Sequence, residues 1–596
     1  MSSAREPGGD PAVAEPAPGF IVRLLASIPH LQPIVAGLGP AALADLEASL
    51  DWYGVAAGTV LFREGDAAED AFIVTAGRLG VFIDLGLGPQ LVAQIKPGEL
   101  VGELAMISQE PRSATVIALR DSEVIRMPYA AATRLREASP ELTTYLLRVL
   151  AARLKATTRR PVLTHATKTI AVVPIDRQPL EPAFGQRLHA QLSALAGKVK
   201  SVDVADKDVA PDALGRMEDE HDLVVYVADR RGSPWSGRCL KQADRVLFVA
   251  TAGTAPDADA DRQIAAIRDL HRPADLVLVN PANAVLPTGA TAWLGRFAPD
   301  HIFHVRSGNA ADFARVARLV TGRAIGLVLS GGGARGFAHI GVLRAMHEQR
   351  VPIDLIGGAS MGALVAGAAA IGRDVEHVGR IIHEAFVRTN PVNDYTLPLF
   401  ALARGRKMAR LLRQQLGDAT IENLWCVLFA VSSNLSTGKI NVHQQGLLWR
   451  AMRATAAIPG IVPPHIERGE VLVDGGVMNN FPADIMSSLA RGPVIGVEVT
   501  SGTQFVSTAE EIEEKSLFWH IRHGRGAVPN IFRVLMRAGT VSSDAQTVAA
   551  RSIVDLLIQP ELGPIDLLSF DKFDQAVELG YRATLDALQR LDKPLI

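Results

Sequence analysis

The sequence predicts a multidomain α/β chain: an antiparallel β barrel or jelly roll first, a βα-alternating segment in the middle, and a second, larger α/β unit to the end. Three observations carry this expectation. Short runs of β-forming residues broken by Gly, Asp and Pro fill 51–127, apolar strands alternate with helical stretches from about 168, and a glycine-rich loop joins a strand to a helix within 325–349. Length agrees, since 596 residues give room for several domains of the usual ~100–200 residues.

Composition narrows the classes. Apolar residues make up 48% and charged residues 21%, which excludes a mostly disordered or fibrous chain. Lys plus Arg number 61 against 63 Asp plus Glu, so there is no basic excess for wrapping nucleic acid, and none is expected as a partner. Only two cysteines occur, Cys239 and Cys426, in different predicted domains, which leaves no disulfide scaffold or cysteine metal site and fits a reducing cytoplasm. No stretch reaches the ~18–20 apolar residues that span a bilayer; the longest, 361–372, falls short.

Taken in order, residues 1–19 are rich in Pro, Ala, Gly and acidic residues without the apolar run of a secretory signal, and predict a disordered tail. The next domain, 20–160, opens with helical spacing, continues through strands at 53–55, 60–62, 71–74, 80–83 and 123–125, and closes with a helix over 128–158. A middle domain, 165–320, places strands at 170–173, 223–227, 246–250, 276–279 and 302–305, the rhythm of a parallel sheet. Pro174-Ile175-Asp176-Arg177-Gln178 after its first strand carries no G-x-x-x-x-G-K-[ST] loop, so this domain is expected to lack a P-loop. The last domain, 323–596, has strands at 325–329, 355–356, 427–431, 471–473 and 494–499.

Within the first domain, Gly102-Glu103-Leu104-Ala105 opens a short helix whose first N–H groups lack intrahelical partners and can face an anion. Arg112 follows Pro111 and offers a planar fork suited to phosphate; Glu103 can accept from a sugar hydroxyl, and Ser113, Ala114 and Thr115 are small enough to admit a base ring. A structural ion pair would need the same two charges. The whole block, Gly102 to Ala105 followed by Pro111-Arg112-Ser113-Ala114-Thr115-Val116, resembles the phosphate-binding cassette of cyclic nucleotide-binding domains, with Gly65-Asp66 and Gly77 matching its barrel turns. The resemblance implies cAMP or cGMP as a regulatory ligand held by Gly102, Glu103, Leu104, Ala105, Arg112 and Ser113. No helix-turn-helix with a basic face follows, which argues against a transcription factor. The helix over 140–155 is the expected lever for any coupling to the rest of the chain.

In the last domain, a strand runs into Ser330-Gly331-Gly332-Gly333-Ala334-Arg335-Gly336 and then a helix. Bare amides at such a turn can hold either a phosphate or the oxyanion of an acyl-transfer intermediate. The next strand meets Gly358-Ala359-Ser360-Met361-Gly362, a G-x-S-x-G nucleophile elbow in which the glycines relieve crowding around a strained serine. Two bases are open to Ser360. A triad can be assembled from Asp474 with His520 or His523; alternatively Asp474, ending an apolar strand before Gly475-Gly476, faces Ser360 directly and, desolvated, takes its proton.

These three motifs, in this order, resemble those of patatin-like phospholipases. The resemblance implies an α/β hydrolase domain with Ser360 as nucleophile, Asp474 as base in a Ser-Asp dyad, Gly358 and Gly362 shaping the elbow, and the Gly331, Gly332 and Gly333 amides with Arg335 as the oxyanion site. No metal or catalytic cofactor is implied. With the cyclic nucleotide cassette and the middle-domain run Gly237-Arg238-Cys239-Leu240-Lys241-Gln242-Ala243-Asp244-Arg245, the chain resembles the neuropathy target esterase branch. Animal members carry a transmembrane anchor and additional cyclic nucleotide domains; here one such domain and no anchor are read. The expectation is a cytoplasmic lipid acyl hydrolase acting on phospholipid or lysophospholipid, regulated by a cyclic nucleotide and able to contact the inner face of a membrane peripherally, with an oligomer left open. Two alternatives remain: a nucleotide-sensing scaffold with an inactive hydrolase domain, and an acyltransferase using the same acyl-serine. The mixed apolar and cationic stretch 518–537, with Arg533 and Arg537, reads either as an interfacial segment or as an ordinary core helix.

Overall fold

The computed structural model describes residues 18–138, 167–500 and 543–595, leaving out His30, 85–88, 104–109, Glu181, Ala210, 270–271, Val392, 398–400, Ala490, Asp544 and 592–594. The expected tail up to residue 17, the helical stretch 139–158 with its lever, Leu104, Ala105, His520, His523 and the stretch 518–537 therefore lie outside the described residues. Two compact units emerge: one runs to Leu180 and takes in Lys198–Leu247 and Asp257–Ala274, the other comprises Glu181–Gly197, Phe248–Pro256 and Asp275–Ile596.

In the first unit, helices Phe20–Ser27, Gln32–Ala36 and Pro40–Ser49 lead into eight strands: β1 (Asp51–Val55), β2 (Val60–Phe62), β3 (Asp70–Ala76), β4 (Leu79–Asp84), β5 (Pro89–Ile95), β6 (Leu100–Val101), β7 (Thr115–Ala118) and β8 (Ser122–Pro128). They form two four-stranded antiparallel sheets, ordered β1-β8-β3-β6 and β2-β7-β4-β5. Strand alternation sends Phe72, Val74 and Val124 into the core between the sheets, with Leu79, Ile95 and Val116. The opposite parity, Ala71, Ile73, Ile125 and Met127, packs on Leu25, Leu46 and the other helix residues. β3 is thus covered on both faces, which is why its sequence is a near-continuous apolar run.

β9 (Thr169–Pro174), β10 (Val199–Val202) and β11 (Leu223–Val227) follow, paired in parallel with β9 and β10 on either side of β11. A buried ion cluster ties them to the jelly roll inside this unit. Asp244, just past the helix Pro234–Gln242, accepts from Arg78 Nη1 at 2.6 Å and Arg120 Nη2 at 2.7 Å, and from the Lys168 and Thr169 N–H groups. Arg120 also reaches Glu218 at 2.5 Å, whose other oxygen accepts from Tyr226. Burial would raise the Asp244 carboxyl, but Arg120 and Arg78 outweigh it and hold the group far below the usual carboxylate range.

Three strands straddle or follow that boundary in sequence: β12 (Arg245–Thr251), β13 (Ala274–Asn280) and β14 (Ile302–Arg306), the last two paired in parallel. The second unit then builds one sheet from β15 (Gly326–Leu329), β16 (Leu355–Ala359), β17 (Val427–Asn434), β18 (Lys439–His443), β19 (His465–Glu467), β20 (Glu470–Asp474), β21 (Val494–Val497) and β22 (Leu556–Ile558). Its order is β19-β20-β17-β16-β15-β21-β22, with β18 also on β17. β15, β16, β17, β21 and β22 pair in parallel; β18 and β20 run antiparallel to β17. β15 and β16 are buried at every residue, as strands covered by helices on both faces must be. The topology places two strand ends together on β17: Ala359 of β16 stands opposite Val431, and Asp474 of β20 opposite Ser432, the next residue.

Candidate active site and nucleotide site

Ser360 begins the helix Ser360–Ala370 directly after β16, and the turn drives its backbone into the left-handed region at φ 50°. A non-glycine residue there costs about 1–3 kcal/mol, a strain characteristic of functional turns. The flanking glycines are dictated by one close approach: a Cβ on either Gly358 or Gly362 would lie 2.3 Å from the Leu329 carbonyl oxygen. The Ser360 hydroxyl donates to Asp474 Oδ2 at 2.6 Å, and Asp474 Oδ1 accepts from the Gly476 N–H at 2.8 Å. Burial pushes the Asp474 carboxyl up to about 6, against the lowering pull of the Ser360 hydroxyl and the Gly476 N–H. It is thus ionised near neutrality yet more basic than a solvated carboxylate. The backbone is anchored as well, with the Asp474 N–H on Ala457 O at 2.9 Å and the Ser360 N–H on Thr455 Oγ1 at 3.0 Å.

The glycine loop differs in detail from the sequence expectation. Gly331 N–H donates to the Asn480 carbonyl at 3.0 Å, so it is not free to meet an oxyanion. Among the described residues nothing accepts from the Gly332 or Gly333 N–H. Arg335 was expected at the oxyanion; its Nε instead donates to Val499 O at 2.6 Å and its Nη1 to Ile565 O at 3.0 Å, bracing the loop through two carbonyls. In both cases backbone carbonyls of neighbouring segments lie within reach and need donors.

Among the described residues no histidine bonds to Ser360 or Asp474. His339 pairs its Nε2 with Ser330 O at 2.8 Å under the loop, and burial holds it down to about 4. His443 pairs with Ser432 Oγ at 2.8 Å and is likewise lowered by burial to about 4. Both are neutral structural imidazoles at physiological pH. No cluster of metal-ligating side chains occurs among the described residues. Cys239 and Cys426 are free thiols, each pushed up to about 12 by burial, which makes them poor nucleophiles.

In the jelly roll, Glu103 and Arg112 are both buried. The Arg112 backbone closes a turn with the Gly65-Asp66 pair, accepting from Gly65 N–H at 2.8 Å and donating to Asp66 O at 2.9 Å. Its guanidinium lies over the Phe62 ring, 4.1 Å from the centroid, and donates to Asp70 O at 2.6 Å. No carboxylate hydrogen-bonds it, and its Nε has no partner among the described residues. Burial lowers its pKa, the Asp70 and Asp66 charges opposing. Gly102 (φ 87°) leaves room beside it, since a Cβ there would stand 2.5 Å from Arg112 Nη1. Ser113 is exposed next to it.

Comparison with known proteins places the domains that carry these residues. Family models match as patatin-like phospholipase over residues 327–487, as cyclic nucleotide-binding domain over 54–139, and as Neuropathy Target Esterase family P-loop like domain over 166–307. The fold and its sites define a patatin-like phospholipase domain behind a cyclic nucleotide-binding domain. The chain belongs to the NTE family: it is 31% identical to an NTE family protein of Mycobacterium tuberculosis over 574 residues, 94% of this chain and 95% of that one. Patatin-like phospholipase domain-containing protein 6 of Homo sapiens is 29% identical over 612 residues, 90% of this chain; the match spans only 44% of the human protein's length. A solved structure, the regulatory domain of Toxoplasma gondii PKA with cAMP, matches 22% of this chain and 48% of its own at 24% identity and a TM-score of 0.19. The middle segment is P-loop like by family, while the residues after β9 lack the phosphate-cradling sequence itself.

Proposed function

We propose that the chain hydrolyses carboxyl esters of lysophospholipid or phospholipid through an acyl-Ser360 intermediate. The observation that carries this is the 2.6 Å bond from the strained Ser360 hydroxyl to a buried carboxylate of raised basicity. Ser360 Oγ attacks the ester carbonyl carbon as its proton passes to Asp474, and the Gly332 and Gly333 N–H groups receive the negative charge that develops on the carbonyl oxygen. Collapse breaks the bond to the glycerol oxygen, which leaves with the proton held by Asp474. Water then attacks the acyl-serine, gives its proton to Asp474, and the proton returns to Ser360 Oγ as the fatty acid departs. Arg335 shapes the loop and takes no part in the transfer.

Two further features belong to this reading. A cyclic mononucleotide is held in the jelly roll with its phosphate on Arg112, which among the described residues hydrogen-bonds to no carboxylate, and its ribose hydroxyl on Glu103, and it regulates the hydrolase. A peripheral lipid contact is supported by Tyr395 and Leu397, each 73% exposed, with Tyr395 bridged to Ala403 beside the exposed Arg404, Arg406 and Arg410. Among the described residues no helix is long and apolar enough to cross a membrane.

The test is turnover of lysophospholipid and phospholipid by the purified chain, with products identified for wild type and Ser360→Ala. Fatty acid released only by the wild type supports hydrolysis; an acylated acceptor alcohol in its place supports the acyltransferase alternative; no turnover, with nucleotide binding retained, supports the scaffold.

A further inference from the structure

Two residues before the segment that anchors Asp474, the chain places a hydroxyl that neither the motifs nor the family roles account for. Thr455, the last residue of the helix Leu448–Thr455, is completely buried. Its Oγ1 accepts from the Ser360 N–H at 3.0 Å and donates to Val431 O at 2.5 Å. The direction of both bonds follows from proton accounting. A carbonyl can only accept and an N–H can only donate, so the one hydroxyl proton must go to Val431 and a lone pair must face Ser360.

The location explains why a side chain is needed. Val431 is the last residue of β17 paired with β16, and Ser432 the first paired with β20. The β16–β17 pairing ends at Ala359 opposite Val431, and at Ser360 the chain turns from strand to helix with φ 50°. Thr455 Oγ1 bridges the Ser360 N–H and Val431 O at the point where that pairing stops. Gly475 seals the same spot: a Cβ there would fall 2.2 Å from Val431 O and 3.2 Å from Ala359 Cβ. Ala457 O takes the Asp474 N–H at 2.9 Å, so Thr455 and Ala457, two positions apart on one segment, hold the backbones of Ser360 and Asp474.

We propose that Thr455 is a positioning residue that fixes the nucleophile elbow against β17 and sets the alignment of Ser360 Oγ on Asp474. It rests on the assignment of Ser360 as nucleophile made above. Thr455 also occupies the Ser360 N–H, which leaves the oxyanion to the glycine loop. Small misplacements of a reacting atom cost large rate factors, so the bridge acts on kcat and not on lipid binding.

The experiment compares Thr455→Ser, which keeps the hydroxyl, with the near-isosteric Thr455→Val and with Thr455→Cys, whose thiol is a weak donor and acceptor. For each variant, kcat and KM on lysophospholipid, the rate of Ser360 labelling by a fluorophosphonate, and thermal stability are measured. Expected are wild-type kcat within about threefold for Thr455→Ser, and a fall in kcat and labelling rate of roughly ten- to a hundredfold for Thr455→Val with KM within about twofold. If Thr455→Val does not fold, Thr455→Cys keeps the test: it should be at least about fivefold slower than Thr455→Ser. A folded Thr455→Val with wild-type kcat, a Thr455→Ser variant as slow as Thr455→Val, or equal rates for Cys and Ser would overturn the proposal. Absence of Ser360-dependent labelling in the wild type would instead overturn the nucleophile assignment on which it rests.

Discussion

The Ser360 hydroxyl and the Asp474 carboxylate meet at 2.6 Å although 114 residues separate them. They meet because the strands that carry them end opposite consecutive residues of β17, Val431 and Ser432. In the proposed mechanism Asp474 serves as the base without an imidazole, so its protonation state governs the chemistry.

The first prediction follows from that state. With Asp474 as the proposed base, turnover needs it ionised; burial holds its carboxyl up to about 6, so kcat/KM should rise with pH through about 6 and level off above it. Stability runs the other way. The folded value lies above the ordinary 3.8, so the group's contribution is fully present below about pH 4 and is lost as pH rises through about 6. Asp474→Asn should therefore abolish turnover yet be more stable than wild type at pH 8, by up to about 3 kcal/mol, with the gap closing near pH 4. Urea titrations at the two pH values, set beside pH–rate profiles, check both signs.

The motifs around this dyad were legible because close approach leaves only glycine. Gly358 and Gly362 both face Leu329 O, and Gly475 faces Val431 O, so the chemistry is written in local spacing. β3 could be read since burial on both faces makes it uniformly apolar. What stayed hidden depends on partners brought in by packing. Gly331 spends its N–H on Asn480 O, Arg335 its guanidinium on Val499 O and Ile565 O, and Thr455 reads as one more helical residue in the sequence. β10, four residues including Lys200 and Ser201, has too few apolar positions to announce a strand. Asp244 looks like a solvated charge until Arg78 and Arg120 close on it.

That ion cluster gives a second prediction. Asp244→Ala leaves Arg78 and the buried Arg120 short of a counter-charge and strips an acceptor from the Lys168 and Thr169 N–H groups. Breaking a buried pair from one side costs about 3–5 kcal/mol. Differential scanning calorimetry should show the transition of the N-terminal unit falling by several degrees; an unchanged trace would refute the cluster's structural weight.

Arg112 yields the third. Removing the guanidinium leaves a buried nucleotide phosphate without its cation, so Arg112→Ala should weaken cyclic nucleotide binding by about 3 kcal/mol or more, over a hundredfold. Isothermal calorimetry with cAMP and cGMP measures it. Wild-type affinity in the variant would remove Arg112 from the site, while binding with unchanged esterase rates would defeat regulation alone.

The lipid contact makes the fourth. Tyr395→Asp with Leu397→Asp should reduce sedimentation with anionic phosphatidylglycerol vesicles, and rates on vesicle substrate, by roughly tenfold while sparing a short soluble ester. Equal loss on both substrates would point to damage of the fold, and unchanged vesicle binding would place the contact elsewhere.

The most direct measurement of the central claim is mass spectrometry of the chain acid-quenched during lysophospholipid turnover. An acyl group should appear on the peptide that contains Ser360, accumulate within the first turnover, and be absent from Ser360→Ala, whose melting temperature should stay within about 2 °C of wild type. Steady release of fatty acid by the folded Ser360→Ala variant, or an acyl group found on any other residue, would contradict the account.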